Sequence, residues 1–261
     1  MAKIDKKLVR ERFLKALPQY DACAAVQHVM ADRLLCHLAE HFDPADRLDH
    51  VLEIGCGTGI LSQMLCDRFK VGTLWANDIV PESEAPLREK FASTAINTTV
   101  EFLPDDIERT ELPERLDLVI SGATLQWISD LGRLFKRLAS RMNPGGIVAF
   151  STFSIGNLDE IKQLTGRSLP YPADEDYSDL LPKGWQILSA HKEESTLFFH
   201  SPVEVLRHLK NTGVSGLKRT QWSKKTLDDF ADRYRQLFES AEGFPLTYRP
   251  LYLVIGTSCE G

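Results

Sequence analysis

The run Glu53-Ile54-Gly55-Cys56-Gly57-Thr58-Gly59 sets three glycines at alternate positions, the first two residues after a carboxylate. Glycine lets a backbone turn sharply and lie against a ligand where a Cβ would clash. A helix that follows such a loop aims unpaired N–H groups at the ligand. The chemistry is that of a cofactor seat, with Glu53, Gly55, Cys56, Gly57 and Gly59 as its expected residues. The dinucleotide fingerprint G-x-G-x-x-G would need its third glycine at Ile60, so the spacing departs from a nicotinamide site. It suits S-adenosylmethionine.

Two acidic positions extend the seat. Asp78 can accept both ribose hydroxyl hydrogens, with Ile79 beside it. Asp105-Asp106-Ile107 offers an acceptor for an adenine amino group and an apolar residue to pack on the ring. A single Asp at a strand end is ordinarily a solvated loop residue or a helix cap. Three such features at successive strand ends are hard to ascribe to coincidence.

The elements that must hold these residues can be read from periodicity. Val51–Ile54, 72–77, 100–103, 116–120 and 147–152 read as strands. Residues 60–69, 83–93 and 130–142 read as helices, the last stopped by Asn143-Pro144-Gly145-Gly146. Strand and helix in alternation imply parallel βαβ units. The fold expected is α/β and Rossmann-like, a mostly parallel seven-stranded sheet with helices on both faces. Two helices over about residues 1–41 precede the sheet, with Pro18 as a break between them. The organisation expected is one domain, with a helical lid at 1–45, a cofactor core at 46–152, an insertion and substrate region at 153–245, and a final strand at 246–257. That strand is expected to return antiparallel at the sheet edge.

The 261 residues carry a net charge of −6, with 43% hydrophobic residues, ordinary for a soluble globular protein. The acidic balance argues against broad nucleic-acid binding. Five cysteines, none in C-x-x-C spacing, suggest neither a zinc site nor a disulfide framework. No metal is expected. The start has no apolar run after its charges, and no segment is apolar for long enough to cross a bilayer, so a cytoplasmic location is expected.

Ser121-Gly122-Ala123-Thr124-Leu125-Gln126-Trp127 resembles the segment that lines the methionine end of the cofactor in class I methyltransferases. Ser121, Leu125 and Trp127 are therefore added to the expected cofactor site, with plain core as the other reading of Trp127. The likeness then becomes narrower. Phe13, Ala16, Tyr20, Asp21, Ala24 and Gln27 near the start, the glycine loop with Leu125-Gln126-Trp127, and then Val205-Leu206-Arg207-His208-Leu209-Lys210, Thr212-Gly213-Val214 and Leu246-Thr247-Tyr248 are similar to the biotin-synthesis malonyl-acyl-carrier-protein O-methyltransferases along nearly the whole chain. The resemblance implies methylation of the free carboxyl of a malonyl thioester. Such a carboxyl, with a pKa near ~4 like Asp and Glu, is ionised at neutral pH and needs no general base. What it needs is alignment and exclusion of water.

For the substrate side, Arg207 and then Arg249 are expected to pair with the carboxylate, against the commoner reading of surface arginines. Tyr20 is expected to close over the reacting groups, or else to pack between helices. Gln27 reads as a helix-surface residue. Arg207, Lys210, Lys218, Arg219, Lys224 and Lys225 form a run without an acid, and 1–15 adds Lys3, Lys6, Lys7, Arg10, Arg12 and Lys15. These segments are expected to dock an acidic carrier protein, with Lys210, Lys218, Arg219, Lys224 and Lys225 as contacts. A monomer is expected. A small-molecule carboxyl methyltransferase and a silent cofactor-binding partner protein stay open as alternatives.

Overall fold

The computed structural model describes residues 4–92, 97–173, 175–213 and 223–257. Three helical segments precede the sheet: α1 (Lys6–Ala16), α2 (Tyr20–Cys23) and α3 (Ala25–Ala39). Asp5 caps α1 by accepting from the Leu8 N–H at 3.1 Å. Pro18 lies in a tight turn over Leu17–Gln19, which redirects the chain into α2.

Alternation follows: β1 (Arg47–Ile54), α4 (Ile60–Arg68), β2 (Lys70–Asp78), α5 (Glu84–Ala92), β3 (Thr99–Pro104), β4 (Leu116–Gly122), α6 (Leu131–Ala139) and β5 (Met142–Phe153). The chain continues through α7 (Asp159–Thr165), α8 (Asp176–Leu180), β6 (Gln186–Lys192), β7 (Ser195–Phe199), α9 (Pro202–Asn211), α10 (Lys224–Phe238), β8 (Phe244–Tyr248) and β9 (Pro250–Gly256).

Seven strands form the main sheet in the order β3-β2-β1-β4-β5-β9-β6, and β7 pairs with β8 in a separate ribbon. The first five are parallel; β9 runs antiparallel to both β5 and β6. Both faces are covered, as a parallel sheet requires. Val51, Leu118 and Ile120 face a core shared with α3 and α4, while Leu52, Ile54 and Val119 face a core shared with α6. The period of two along each strand divides the apolar residues between the faces.

Three expectations are corrected. The final apolar stretch is two strands broken at Arg249, and β9 lies inside the sheet and not at its edge. Its seven residues are all buried, which is why no polar alternation marks it. The stretch 153–245 is no simple insertion, because β6 within it completes the main sheet. Helix α6 ends at Ala139, and Asn143-Pro144-Gly145-Gly146 already belongs to β5, where the register against β4 shifts.

β1 and β4 are neighbours although β2 and β3 intervene in sequence. The crossovers therefore leave on opposite sides there, and a crevice opens at the strands' carboxyl ends. Helix α3 packs over β4, β5 and β9 on one flank of it.

Candidate cofactor and active site

The loop after β1 is tied to the end of β2. The Gly55 and Cys56 N–H groups donate to the Asn77 carbonyl at 2.8 and 2.9 Å. The Gly57 N–H donates to Asp78 Oδ2 at 2.8 Å, and the Val80 N–H to Asp78 Oδ1 at 2.8 Å. Asp78 thus shapes the glycine loop as well as facing the crevice. Asn77 donates its side-chain amide to the carbonyls of Leu103 and Asp105, both at 2.9 Å, fixing the end of β3 to the same frame. Gly55 has φ +76°, and a Cβ on it would lie 2.2 Å from Thr124 Oγ1. Only glycine lets the β1 and β4 loops meet here.

These loops line a cavity that opens to solvent. Glu53, Gly55, Cys56, Gly57, Asp78, Ile79, Asp106, Ile107 and Trp127 line it. Its roof is the N-terminal segment, through Val9, Phe13, Leu17, Tyr20, Gln27, Met30 and Ala31. The roof is anchored on both sides. Lys6 Nζ lies 3.0 Å from Asp106 and 2.6 Å from Glu108. Asp21 accepts from the Thr58 hydroxyl and lies 2.5 Å from Lys90 Nζ.

The buried acids feel this environment. Burial lifts the Asp78 carboxyl above its usual range, against the opposing N–H bonds from Val80 and Gly57. Burial also raises Glu53, to about 7, with the Ser62 hydroxyl bond opposing and the Asp78 charge adding. Burial raises the Tyr20 phenol, with Asp78 and Asp21 adding, so it stays protonated at neutral pH. A cavity holding two carboxyls above their ordinary values favours a cationic ligand, which would lower both.

The raised Glu53 predicts a pH signature. The folded chain binds this proton more tightly than the unfolded chain, so stability falls as pH rises from about 4.5 to about 7 and levels off above that. The difference amounts to roughly 3 kcal/mol. Glu53→Gln should therefore gain about that much relative to the unsubstituted protein between pH 5 and pH 8, measured by denaturant unfolding at both. Parallel pH dependences for the two proteins would contradict it.

Some expected residues lie elsewhere. The Ser121 hydroxyl donates to the Ile54 carbonyl at 2.8 Å and acts as a tie between strands. Leu125 packs in the core beneath the site. Gly59 starts α4 at φ +87° behind the loop. Asp105 turns its carboxylate back to the Asp106 N–H at 2.7 Å, leaving Asp106 to face the cavity. Neither arginine reaches the lining. Arg207 is exposed on α9, and Arg249 pairs with Glu194 at 3.1 Å in the turn between β8 and β9. Charge type alone did not reveal which way they point. Gln27, read as a helix-surface residue, lies in the roof instead. Lys6 and Asn77 are further site residues that no local motif announced, and Thr58, inside the glycine run, was not singled out.

The restrictive C-terminal motifs support the roof. Gly213, at φ +72°, sits where a Cβ would be 2.7 Å from the Phe13 ring, and Phe13 meets Trp127 edge to face at 5.8 Å. His208 and Tyr248 hydrogen-bond at 2.8 Å beneath. Away from the site, His37, Glu40 and His191 bring donor atoms within 4.8 Å of one another. The two imidazoles stack at 3.9 Å and 4°, so their in-plane lone pairs run side by side and do not meet at one ion.

A methyltransferase-domain family model matches residues 51–146. The solved structures agree on the fold: a candidate methyltransferase of Bacillus halodurans has a TM-score of 0.62 at 12% identity, covering 87% of this chain and 98% of that one. An S-adenosylmethionine-dependent methyltransferase from Mesorhizobium loti gives 0.51 at 15%, covering 84% and 95%. Fold, strand-end loop and family model define a class I S-adenosylmethionine-dependent methyltransferase. Two relatives bear the name malonyl-[acyl-carrier protein] O-methyltransferase. The one from Chlorobium phaeovibrioides is 42% identical over 252 residues, covering 96% of each chain. The one from Chlorobium luteolum is 40% identical over 261 residues, covering 98% of this chain and 97% of its own. The chain belongs to the malonyl-[acyl-carrier protein] O-methyltransferase family.

Proposed function

We propose that the protein methylates the free carboxylate of a malonyl thioester borne by an acyl carrier protein, giving the methyl ester that starts pimeloyl formation in biotin synthesis. The observation that carries this is the cavity itself: a seat suited to a cationic nucleotide, roofed largely by apolar side chains, with Tyr20 in its wall kept protonated. S-adenosylmethionine, when bound, supplies an electrophilic methyl whose transfer to a carboxylate oxygen breaks the C–S bond, leaves a neutral thioether and releases no proton. The chain therefore needs no base for an already ionised nucleophile. Glu53, Gly55, Cys56, Gly57, Asp78, Ile79, Asp106 and Ile107 would hold the cofactor, and Phe13, Leu17, Tyr20 and Met30 would exclude water.

The test incubates the protein with radiolabelled S-adenosylmethionine and either malonyl-carrier protein or malonyl-CoA. A base-labile labelled ester is expected. Cofactor binding without label in either tube would overturn the reading.

The carrier is expected to dock on the basic helices. Lys7, Arg10 and Lys15 on α1, Arg207 and Lys210 on α9, and Lys224 and Lys225 on α10 are exposed. α9 packs against both α1 and α10. Lys218 and Arg219 lie outside the described residues, and Lys6 is committed to the roof. Complementary charge speeds encounter with an acidic partner. Changing Lys210, Lys224 and Lys225 together to Glu should raise KM for malonyl-carrier protein about tenfold, weaken its salt dependence and leave kcat unchanged. An unchanged KM and salt slope would remove this face from the account.

A further inference from the structure

We propose that Trp127 holds the carboxylate that receives the methyl group, through its indole N–H, with the Gln27 amide as a second donor. The inference rests on the function proposed above. Trp127 is only 5% exposed, lines the cavity, and its Nε1 has no hydrogen-bond partner. Buried indole N–H groups nearly always have an acceptor, so an orphan on a residue that lines a ligand cavity marks a place for one. Gln27 lines the same cavity and its Oε1 is likewise buried and unpartnered. A half-turn of that amide about its last bond presents N–H donors without moving the helix.

Position separates these groups from the nucleoside seat. Asp78 and Asp106 follow β2 and β3, on one side of β1. Trp127 follows β4, and Gln27 sits on α3, which covers β4, β5 and β9. The two orphans therefore lie on the flank of the crevice left for the acceptor.

The chemistry suits a nucleophile. An ionised carboxylate only accepts hydrogen bonds. A guanidinium would engage both oxygens and draw charge from the one that must attack. A neutral N–H engages one lone pair, fixes the group's orientation and leaves the other oxygen reactive. Among the described lining residues the one cation is Lys6, and it lies against Asp106 and Glu108. The methyl ester is uncharged and a weaker acceptor, which favours its release.

Trp127→Phe keeps a ring against Phe13 and removes the donor together with part of the indole's bulk, a loss of packing that the acetyl-CoA and cofactor measurements read separately. The test measures its S-adenosylmethionine Kd by calorimetry, its KM for malonyl-CoA, and inhibition by acetyl-CoA, which lacks the distal carboxylate. Loss of a hydrogen bond to a charged group should raise the malonyl KM roughly tenfold or more. Cofactor Kd and acetyl-CoA inhibition should stay within about twofold, a pattern that general loosening of the roof would not give. An unchanged malonyl KM overturns the proposal. So does a cofactor Kd that rises in step, which would assign the donor to the methionine carboxylate. Failure of the functional reading itself shows separately, as absence of ester from the unsubstituted enzyme.

Discussion

Gly55→Ala is expected to cost S-adenosylmethionine binding at least 100-fold and destabilise the ligand-free protein by about 2–4 kcal/mol. Two effects combine. The residue sits at φ +76°, which an L side chain adopts only with strain. The new methyl would also lie 2.2 Å from Thr124 Oγ1 and 2.4 Å from its methyl. One loop must move, and either movement opens the joint between the first and fourth strands that borders the cavity. Coupling with Thr124→Gly separates the effects: the double variant loses the clash and keeps the strain. It should recover more than half of the lost stability in denaturant melts. A single variant that binds as the unsubstituted protein does would show that this joint is not part of the seat.

Asp78→Asn is expected to weaken S-adenosylmethionine binding about 100-fold, or ~2.7 kcal/mol, while the melting temperature without ligand holds to within a few degrees. The carboxylate accepts from two backbone N–H groups at 2.8 Å and faces the cavity. An amide can satisfy only one of those donors with its oxygen and turns a competing N–H toward the other. Yet burial already lifts this carboxyl above its usual range, so the charge is costly in the empty protein. Removing it relieves that cost as the bond is lost. Calorimetric titration and thermal melts of the same preparation test both halves. Strong binding with collapsed stability would make Asp78 structural and not a ligand contact.

The seat was legible in the sequence because its residues sit at the ends of consecutive parallel strands, where local order fixes position. Gly55, Gly57, Asp78 and Ile107 needed only the strand-to-helix rhythm to be placed. The roof was legible as helices but not as contacts. Nothing local says that Lys6 reaches Asp106, a hundred residues away, or that Gln27 turns inward. The second follows from how α3 lies across β4, β5 and β9, and the first from where α1 comes to rest, both properties of the assembled fold and not of local sequence. Arg249 misled for the related reason that its partner, Glu194, lies 55 residues earlier. The last strand misled because a fully buried strand has no alternation to show which neighbours it has. The substrate assignment came from motif likeness, and the structure gives those motifs a physical role: Gly213 makes room for Phe13, and Phe13 braces Trp127.

The most direct measurement is a crystal structure of the protein with S-adenosylhomocysteine. The account predicts the ligand along residues 53–59, its ribose hydroxyls on Asp78 and its adenine against Ile107, beneath the helices bearing Phe13 and Tyr20. Ligand density at another site, or a saturated crystal with this crevice empty, would contradict it.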